Sequence, residues 1–457
     1  METTKKTRAQ VDLLHGPIFR SMLEFAVPIF ISCIFQQLYN TMDTVIVGHT
    51  LGESSLAAMG ACTSLYDLLV GFALGIGNGL AIVTARSFGS GDEKLLKRSV
   101  AASVEIGIGI TVFIMLLTRL VLHPMLQLLN TPSEILEEAY SYISTITLFV
   151  GVMFAYNLCA GLLRAVGNSF MPLVFLVLSS CLNIGLDLLF IRQFGMGVRG
   201  AAVATVIAQG VSVVLCLVYI GYRMRLLIPK KEDFRPKASL LRELLGQGIA
   251  MGLMSCLVSA GSVVLQSGIN SLGYLTIAGH AAARKLYQFG IMPTVAMAQT
   301  VNTFVAQNRG ADQGQRIRQG IRCAYLYNVA VALFMTGLMA ALAPQLIRLI
   351  SGSDEAVVLQ NGSAYVRVAA PFYAVLGMIN DTRYALQGLG QKLRPLISSI
   401  TELIGKILFA AALIPRFGYT AVIFCEPVIW CIMATELVYA FYKDPYIKAH
   451  RTETQVS

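Results

Sequence analysis

Leu51-Gly52-Glu53-Ser54-Ser55-Leu56-Ala57 returns 221 positions later as Leu272-Gly273-Tyr274-Leu275-Thr276-Ile277-Ala278. The same offset carries Ala85 to Ala306 and Gly89 to Gly310. An offset of 223 carries Pro172 to Pro395 and Phe194-Gly195 to Phe417-Gly418. The second half of the chain therefore repeats the first. Two half-length copies in an apolar chain predict two homologous helical bundles facing each other across a pathway. The copies differ in charge, because Asp43 and Asp187 of the first stand opposite Val264 and Ala410 of the second.

Of the 457 residues, 56% are hydrophobic and only 13% charged, against about 25% charged in ordinary soluble proteins. The charges cluster and leave apolar stretches of about 20 residues, long enough to cross a bilayer as helices. The predicted fold class is an all-α polytopic membrane protein with about twelve transmembrane helices. They lie near 18–44, 54–82, 95–121, 136–160, 169–191, 199–222, 242–270, 275–302, 319–344, 358–382, 392–414 and 418–442. Residues 1–222 are expected to form an N-terminal six-helix bundle, and 223–241 a cytoplasmic linker rich in Lys and Arg. Residues 242–457 are expected to form a C-terminal six-helix bundle with a short tail. Residues 1–20 contain no apolar core or small-residue cleavage site, so no removed signal peptide is expected.

The net charge of +10 has a topological explanation. One side of the predicted membrane holds Lys5, Lys6, Arg86, Lys94, Lys97 and Arg98, the linker cations, Arg309, Arg316, Arg318, Lys392 and Arg394. Lys443, Lys448 and Arg451 join them, while the opposite side has little beyond Arg192, Arg199, Arg348 and Arg416. The positive-inside bias puts both termini in the cytoplasm, and nucleic acid is not implied. The nine cysteines fall in or beside apolar stretches without a CxxC pair, which supports neither a disulfide framework nor a zinc site. No GxxxxGK[ST] loop and no HExxH pattern occurs, so neither an ATP-driven machine nor an enzyme is expected.

A carboxylate at membrane depth is costly and faces the protein interior or a wet cavity. Asp43 comes late in the first predicted span and Asp187 late in the fifth. Asn183 precedes Asp187 by four residues, which puts both on one helix face. Asn157 and Thr205 offer neutral oxygens at comparable depth. Two carboxylates with amide and hydroxyl oxygens suit a proton or a hard, weakly held cation, with Na⁺ possible at Asp43, Asn183, Asp187 and Thr205. The structural alternative is a polar network that locks the bundle.

The second copy carries another set. Glu402 and Lys406 are spaced as a helical ion pair in the favourable order, and Asn380 matches Asn157 of the first copy. With Lys285 they form a predicted C-terminal polar network. At least one of Arg284 and Lys285 is expected to face the central cavity, to pair with Glu402 or to bind an anionic part of a substrate. Gln37, Tyr39, Asn40, Gln266, Asn270 and Tyr287 are further candidate cavity residues. Pro28 removes a backbone hydrogen bond inside the first span and is a candidate hinge.

These residues resemble those of a multidrug and toxic compound extrusion (MATE) transporter over nearly the whole chain. The likeness rests on Gln37-x-x-Asn40-x-x-Asp43 with Val47-Gly48, and on Leu163-Arg164-Ala165-Val166-Gly167-Asn168. Asn183-x-x-x-Asp187, Gly195-Met196-Gly197-Val198 and Gly200-Ala201-Ala202 extend it. In the second half the carriers are Ala306-Gln307-Asn308-x-Gly310-Ala311 and Ala385-Leu386-Gln387-Gly388-Leu389-Gly390. The resemblance implies a V-shaped pair of six-helix bundles and an exporter of organic, often cationic, drugs driven by H⁺ or Na⁺. In one branch of that family the cation site lies in the first bundle, and Asp43, Asn157, Asn183, Asp187 and Thr205 match it.

The expected protein is thus a secondary antiporter working by alternating access in a bacterial plasma membrane. Its expected partners are a small organic molecule and membrane lipid, with no cofactor beyond the coupling ion, and it is expected to act as a monomer. The alternative is a flippase or exporter for a lipid-linked or other anionic substrate, using Arg284, Lys285 and Lys406.

Overall fold

The computed structural model describes residues 10–128 and 131–450, and among these there is no strand. Lys5, Lys6 and Arg451 of the predicted cytoplasmic side lie outside the described residues. The first copy runs through α1 (Ile18–Leu51), α2 (Glu53–Gly89), α3 (Glu93–Leu128), α4 (Ser133–Leu148), α5 (Val150–Ala165), α6 (Phe170–Asp187) and α7 (Gly197–Arg223). The second runs through α8 (Ala238–Asn270), α9 (Tyr274–Gly310), α10 (Gly314–Ser351), α11 (Ala356–Ala369), α12 (Tyr373–Gly388), α13 (Leu393–Leu408), α14 (Ile414–Phe417) and α15 (Tyr419–Lys443). A short α16 (Pro445–Ala449) follows, its first turn capped by the Asp444 carboxylate.

Ten helical stretches are long and apolar enough to cross a bilayer, and the pair α4–α5, bent by 48°, counts as an eleventh. The remaining helix of the expected twelve is α9. It is 37 residues long, but His280, Arg284 and Lys285 interrupt its apolar run, and it falls short of the others in apolarity. Polar groups at this depth need protein partners rather than lipid, and much of α9 is buried.

The repeat is visible in backbone conformation as well as in sequence. Gly52 precedes α2 with φ +92° and Gly273 precedes α9 with φ +89°. That region is open to glycine and strained for side chains with a Cβ, which accounts for the same residue recurring at the repeat offset. Both copies also widen into a π turn at matching places, Leu188–Gln193 after α6 and Phe409–Leu413 after α13. Such turns recur at functional sites, and the first begins directly after Asp187.

By compactness the chain divides into two units. The first comprises Met1–Asp12 and Ile31–Cys256, and the second Leu13–Phe30 and Leu257–Ser457. The division falls inside α1, just after Pro28, and inside α8; α1 itself continues through Pro28 without interruption. Within the first unit, α2 and the early part of α8 meet through glycines. A Cβ on Gly75 would lie 2.8 Å from Gly252 Cα, and one on Gly79 would lie 2.7 Å from the Gln247 carbonyl oxygen. Small residues four apart on both helices allow this backbone approach. Phe154 fills the core of the same unit beside Leu80, Val83 and Leu163, and in the second unit Phe304, Tyr365 and Tyr373 are fully buried. Outward faces stay apolar: Ile108, Val112, Phe113, Leu116 and Leu120 of α3 are exposed, as are Leu326, Leu333 and Phe334 of α10. Helices apolar on their outer face as well as inside suit a lipid surround.

Two loop motifs acquire a structural role here. In the first unit the Gly167 carbonyl accepts from the Val11 amide at 2.9 Å. In the second, the Asn308 side chain donates to the Leu13 carbonyl at 3.1 Å, and Arg316 donates to Leu13 at 3.2 Å and to Gly16 at 2.5 Å.

Candidate functional site

Within the first unit, α1, α6 and α7 bring four of the predicted cation-site residues together. Asp43, Asn183, Asp187 and Thr205 are all buried, with exposures of 7%, 1%, 0% and 5%. Asn183 is the centre. With the amide oriented so that both of its ends meet complementary partners, its nitrogen donates to Asp43 Oδ1 at 3.1 Å and to Asp187 Oδ2 at 3.2 Å, while its oxygen accepts from the Thr205 backbone amide at 3.2 Å. The two carboxyl groups are thus held close together across the one amide, and two like charges in a buried place favour a proton or a small cation between them. Tyr39 adds a hydroxyl that donates to Thr205 Oγ1 at 3.1 Å. Tyr66 and Tyr142 lie close enough to Asp43 to feel its charge. Asn157 is half-buried, and its amide donates to the Met153 carbonyl at 3.0 Å on its own helix. Among the described residues no three His, Cys, Asp or Glu side chains converge as a metal site. A cation held here would use two carboxylates and neutral oxygens.

The sequence fits this arrangement locally. Asn183 and Asp187 share a face through their four-residue spacing, and Asp43 projects from α1 one turn after Tyr39. Of the predicted cavity residues in this unit, Gln37 is half-buried and Asn40 exposed. In the second unit Gln266 and Asn270 are exposed and joined by a 2.8 Å hydrogen bond along α8.

The second unit holds the larger assembly of buried charge. Arg284 pairs with Glu426 on α15, its Nη1 donating to the two carboxylate oxygens at 2.9 and 3.0 Å. Tyr365 on α11 donates to the same carboxylate at 2.5 Å. Glu426, rather than the expected Glu402, is thus the partner of Arg284. Glu402 instead accepts from Lys406 at 2.9 Å and lies 3.6 Å from Arg383 Nη2. His280 sits edge-on to Tyr365 and within 3.2 Å of the Tyr419 hydroxyl. Lys285 is exposed, and the buried cations here are Arg383 and Lys406. Asn380 lines a chamber of about 200 Å³ together with Arg284, Glu402, Lys406 and Glu426. Tyr287 lines it too, stacked on Trp430 with ring centroids 6.1 Å apart. Glu426, Tyr365 and Trp430 were not singled out from the sequence. The depth argument that isolates Asp43 applies equally to Glu426, which stands beside Pro427 in an otherwise apolar stretch.

One family model, MatE, matches the chain twice, over residues 28–189 and 250–411. The chain belongs to the MatE family. The two matches reproduce the internal repeat, and membership makes this a multi-pass membrane transporter rather than an enzyme. The chain is similar to the probable multidrug resistance protein YpnP of Bacillus subtilis, with 25% identity covering 85% of this chain and 86% of the relative. It is also similar to the multidrug export protein MepA of Staphylococcus saprophyticus, with 22% identity covering 93% and 92%. Among solved structures it resembles an outward-facing conformation of a multidrug resistance MATE family transporter. The TM-score is 0.89 at 23% identity, covering 97% of this chain and 99% of the other. That likeness concerns the fold.

Proposed function

We propose that this MatE protein is a secondary antiporter that exports organic, cationic or amphipathic drugs in exchange for H⁺ or Na⁺. The observation that carries the reading is the Asp43–Asn183–Asp187 cluster. Two buried carboxyl groups bridged by one amide can hold one proton, or can give it up to a small cation. Tyr39 and Thr205 complete the oxygen surroundings. The names of the Bacillus and Staphylococcus relatives support multidrug export.

Coupling requires that the ion and the drug favour different conformational states or compete for one of them. Occupancy at Asp43 and Asp187 changes the charge carried by α1 and α6, and the bend available to α1 at Pro28 is the proposed response. The alternative of a lipid-linked polyanion loses support. Of the three cations it would use, Arg284 is neutralised by Glu426 and Lys406 is paired with Glu402, which leaves Lys285 to meet several phosphates.

Proteoliposomes reporting ethidium movement test the reading when a pH gradient and a Na⁺ gradient are imposed separately. Wild-type protein should move ethidium under one gradient, and Asp43→Asn and Asp187→Asn should abolish that movement while remaining folded. Full transport in both variants would remove the proposed site.

A further inference from the structure

The chamber in the second unit has a property that the ion-coupling reading does not use. Its wall carries three cations, Arg284, Arg383 and Lys406, against two carboxylates, Glu402 and Glu426. Asp381, the neighbouring acid on α12, does not line it; it is fully buried and accepts from Asn328 on α10 at 2.6 Å. Arg383 and Lys406 are buried, and positive charge held largely out of water is costly unless something negative joins it.

Arg383 shows where that partner would sit. Its side chain is buried, with the residue only 6% exposed, and its Nε donates to Ser398 Oγ at 3.1 Å. Its Nη2 has no hydrogen-bond partner among the described residues. The nearest carboxylate oxygen, on Glu402, is 3.6 Å away, beyond a good hydrogen bond. A planar guanidinium with a free donor is suited to a planar two-oxygen anion. Gly261 makes room for the neighbouring cation, because a Cβ there would lie 3.0 Å from Lys406 Cδ.

We propose that this chamber is a subsite for a carboxylate carried by the transported organic compound, with Arg383 as the group that receives it. The proposal deepens the export reading and rests on it. Two magnitudes select the ligand. The net excess of one positive charge matches a monoanion and would be overcompensated by a dianionic phosphate. The volume, about 200 Å³, falls below the roughly 300–1,000 Å³ of pockets that enclose whole drug-sized molecules. The chamber therefore takes one end of a substrate. The stacked rings of Tyr287 and Trp430 supply an apolar wall for the atoms next to the carboxylate.

Trp430 is the single tryptophan of the chain, so its emission reports on this wall alone. The test uses the full-length protein in phosphatidylcholine nanodiscs, which contain no anionic lipid, titrated with dansylglycine and with dansylglycinamide. Energy transfer from Trp430 measures binding. Wild type should bind the acid about tenfold more tightly than the amide, the worth of one charge-assisted hydrogen bond. Arg383→Gln should erase that preference. Glu402→Gln, which raises the net positive charge, should tighten acid binding several-fold and leave amide binding unchanged. Lys406→Gln serves in place of Arg383→Gln if the latter does not fold by melting analysis. Equal affinity for acid and amide in wild type, no binding of either, or equal weakening by Arg383→Gln and Glu402→Gln would each overturn the subsite. Ethidium efflux by the same preparations separates the two readings. Efflux without acid binding overturns the subsite alone, and acid binding without efflux overturns the export reading.

Discussion

Replacing Gly79 by alanine adds one methyl group where there is no space for it. The new Cβ would stand 2.7 Å from both the Gln247 carbonyl oxygen and Gly248 Cα, well inside the roughly 3.5–4.0 Å of ordinary carbon contacts. Both neighbours are backbone, so no side chain can turn aside, and α2 and α8 must separate by most of an ångström. Gly75 sits against the same helix one turn earlier, where a Cβ would be 2.8 Å from Gly252 Cα, so the separation extends along the contact. Overpacking of this kind costs about 1–3 kcal/mol. Alanine regains about 1 kcal/mol of helix propensity, which leaves a net loss of up to about 2 kcal/mol. Gly71 is the matched control on α2, with nothing within 4 Å of an added Cβ, and there only the propensity gain should remain. Thermal melts of the two purified variants in the same detergent, followed by Trp430 emission, provide the comparison. Gly79→Ala should melt below wild type and Gly71→Ala at or above it. If Gly79→Ala melts as high as Gly71→Ala, the close approach of α2 and α8 is refuted.

Other expectations concern the polar clusters. Tyr39→Phe removes the hydroxyl that donates to Thr205 at 3.1 Å. It should cost about 1 kcal/mol and raise the coupling-ion concentration needed for half-maximal transport; an unchanged requirement would exclude Tyr39 from the site. Glu426→Gln leaves Arg284 without its counter-charge. The loss should stay at or below about 3 kcal/mol, because the Arg284 side chain is 30% exposed and is partly screened. The double variant Arg284→Met with Glu426→Leu should recover most of that stability in melts, and a double variant as unstable as the single one would contradict the pairing.

Much of the architecture was legible because membrane chains advertise it. Apolar runs set the spans, and the offset from Gly52 to Gly273 survives because a positive φ must be kept at both places. The polar residues of the first copy stood out for a related reason, since a carboxylate such as Asp43 in an apolar stretch has no inexpensive solution except burial with partners. Partner choice was less legible. Arg284 could have paired with Glu402 on helical spacing and depth alone, but the packing of α15 against α11 and α12 brings Glu426 to it instead. The break between α4 and α5 falls at Phe149, and the only breaker beside it, Gly151, looks in sequence like the packing glycines of the other spans. Asn157 and Lys285 illustrate the same difficulty. A residue's depth can be read from the chain, but which way its side chain turns depends on neighbours far away in sequence.

The account depends most on Asp43 and Asp187 acting as one exchangeable carboxyl pair. Difference infrared spectroscopy of the membrane-reconstituted protein observes that directly, through the absorption of protonated carboxyl groups. Raising the pH, or adding Na⁺ at fixed pH, should remove a protonated-carboxyl band from wild type, and that loss should be missing from the Asp43→Asn, Asp187→Asn double variant. A band change of the same size in the double variant, or none in wild type under either condition, would contradict the proposed site.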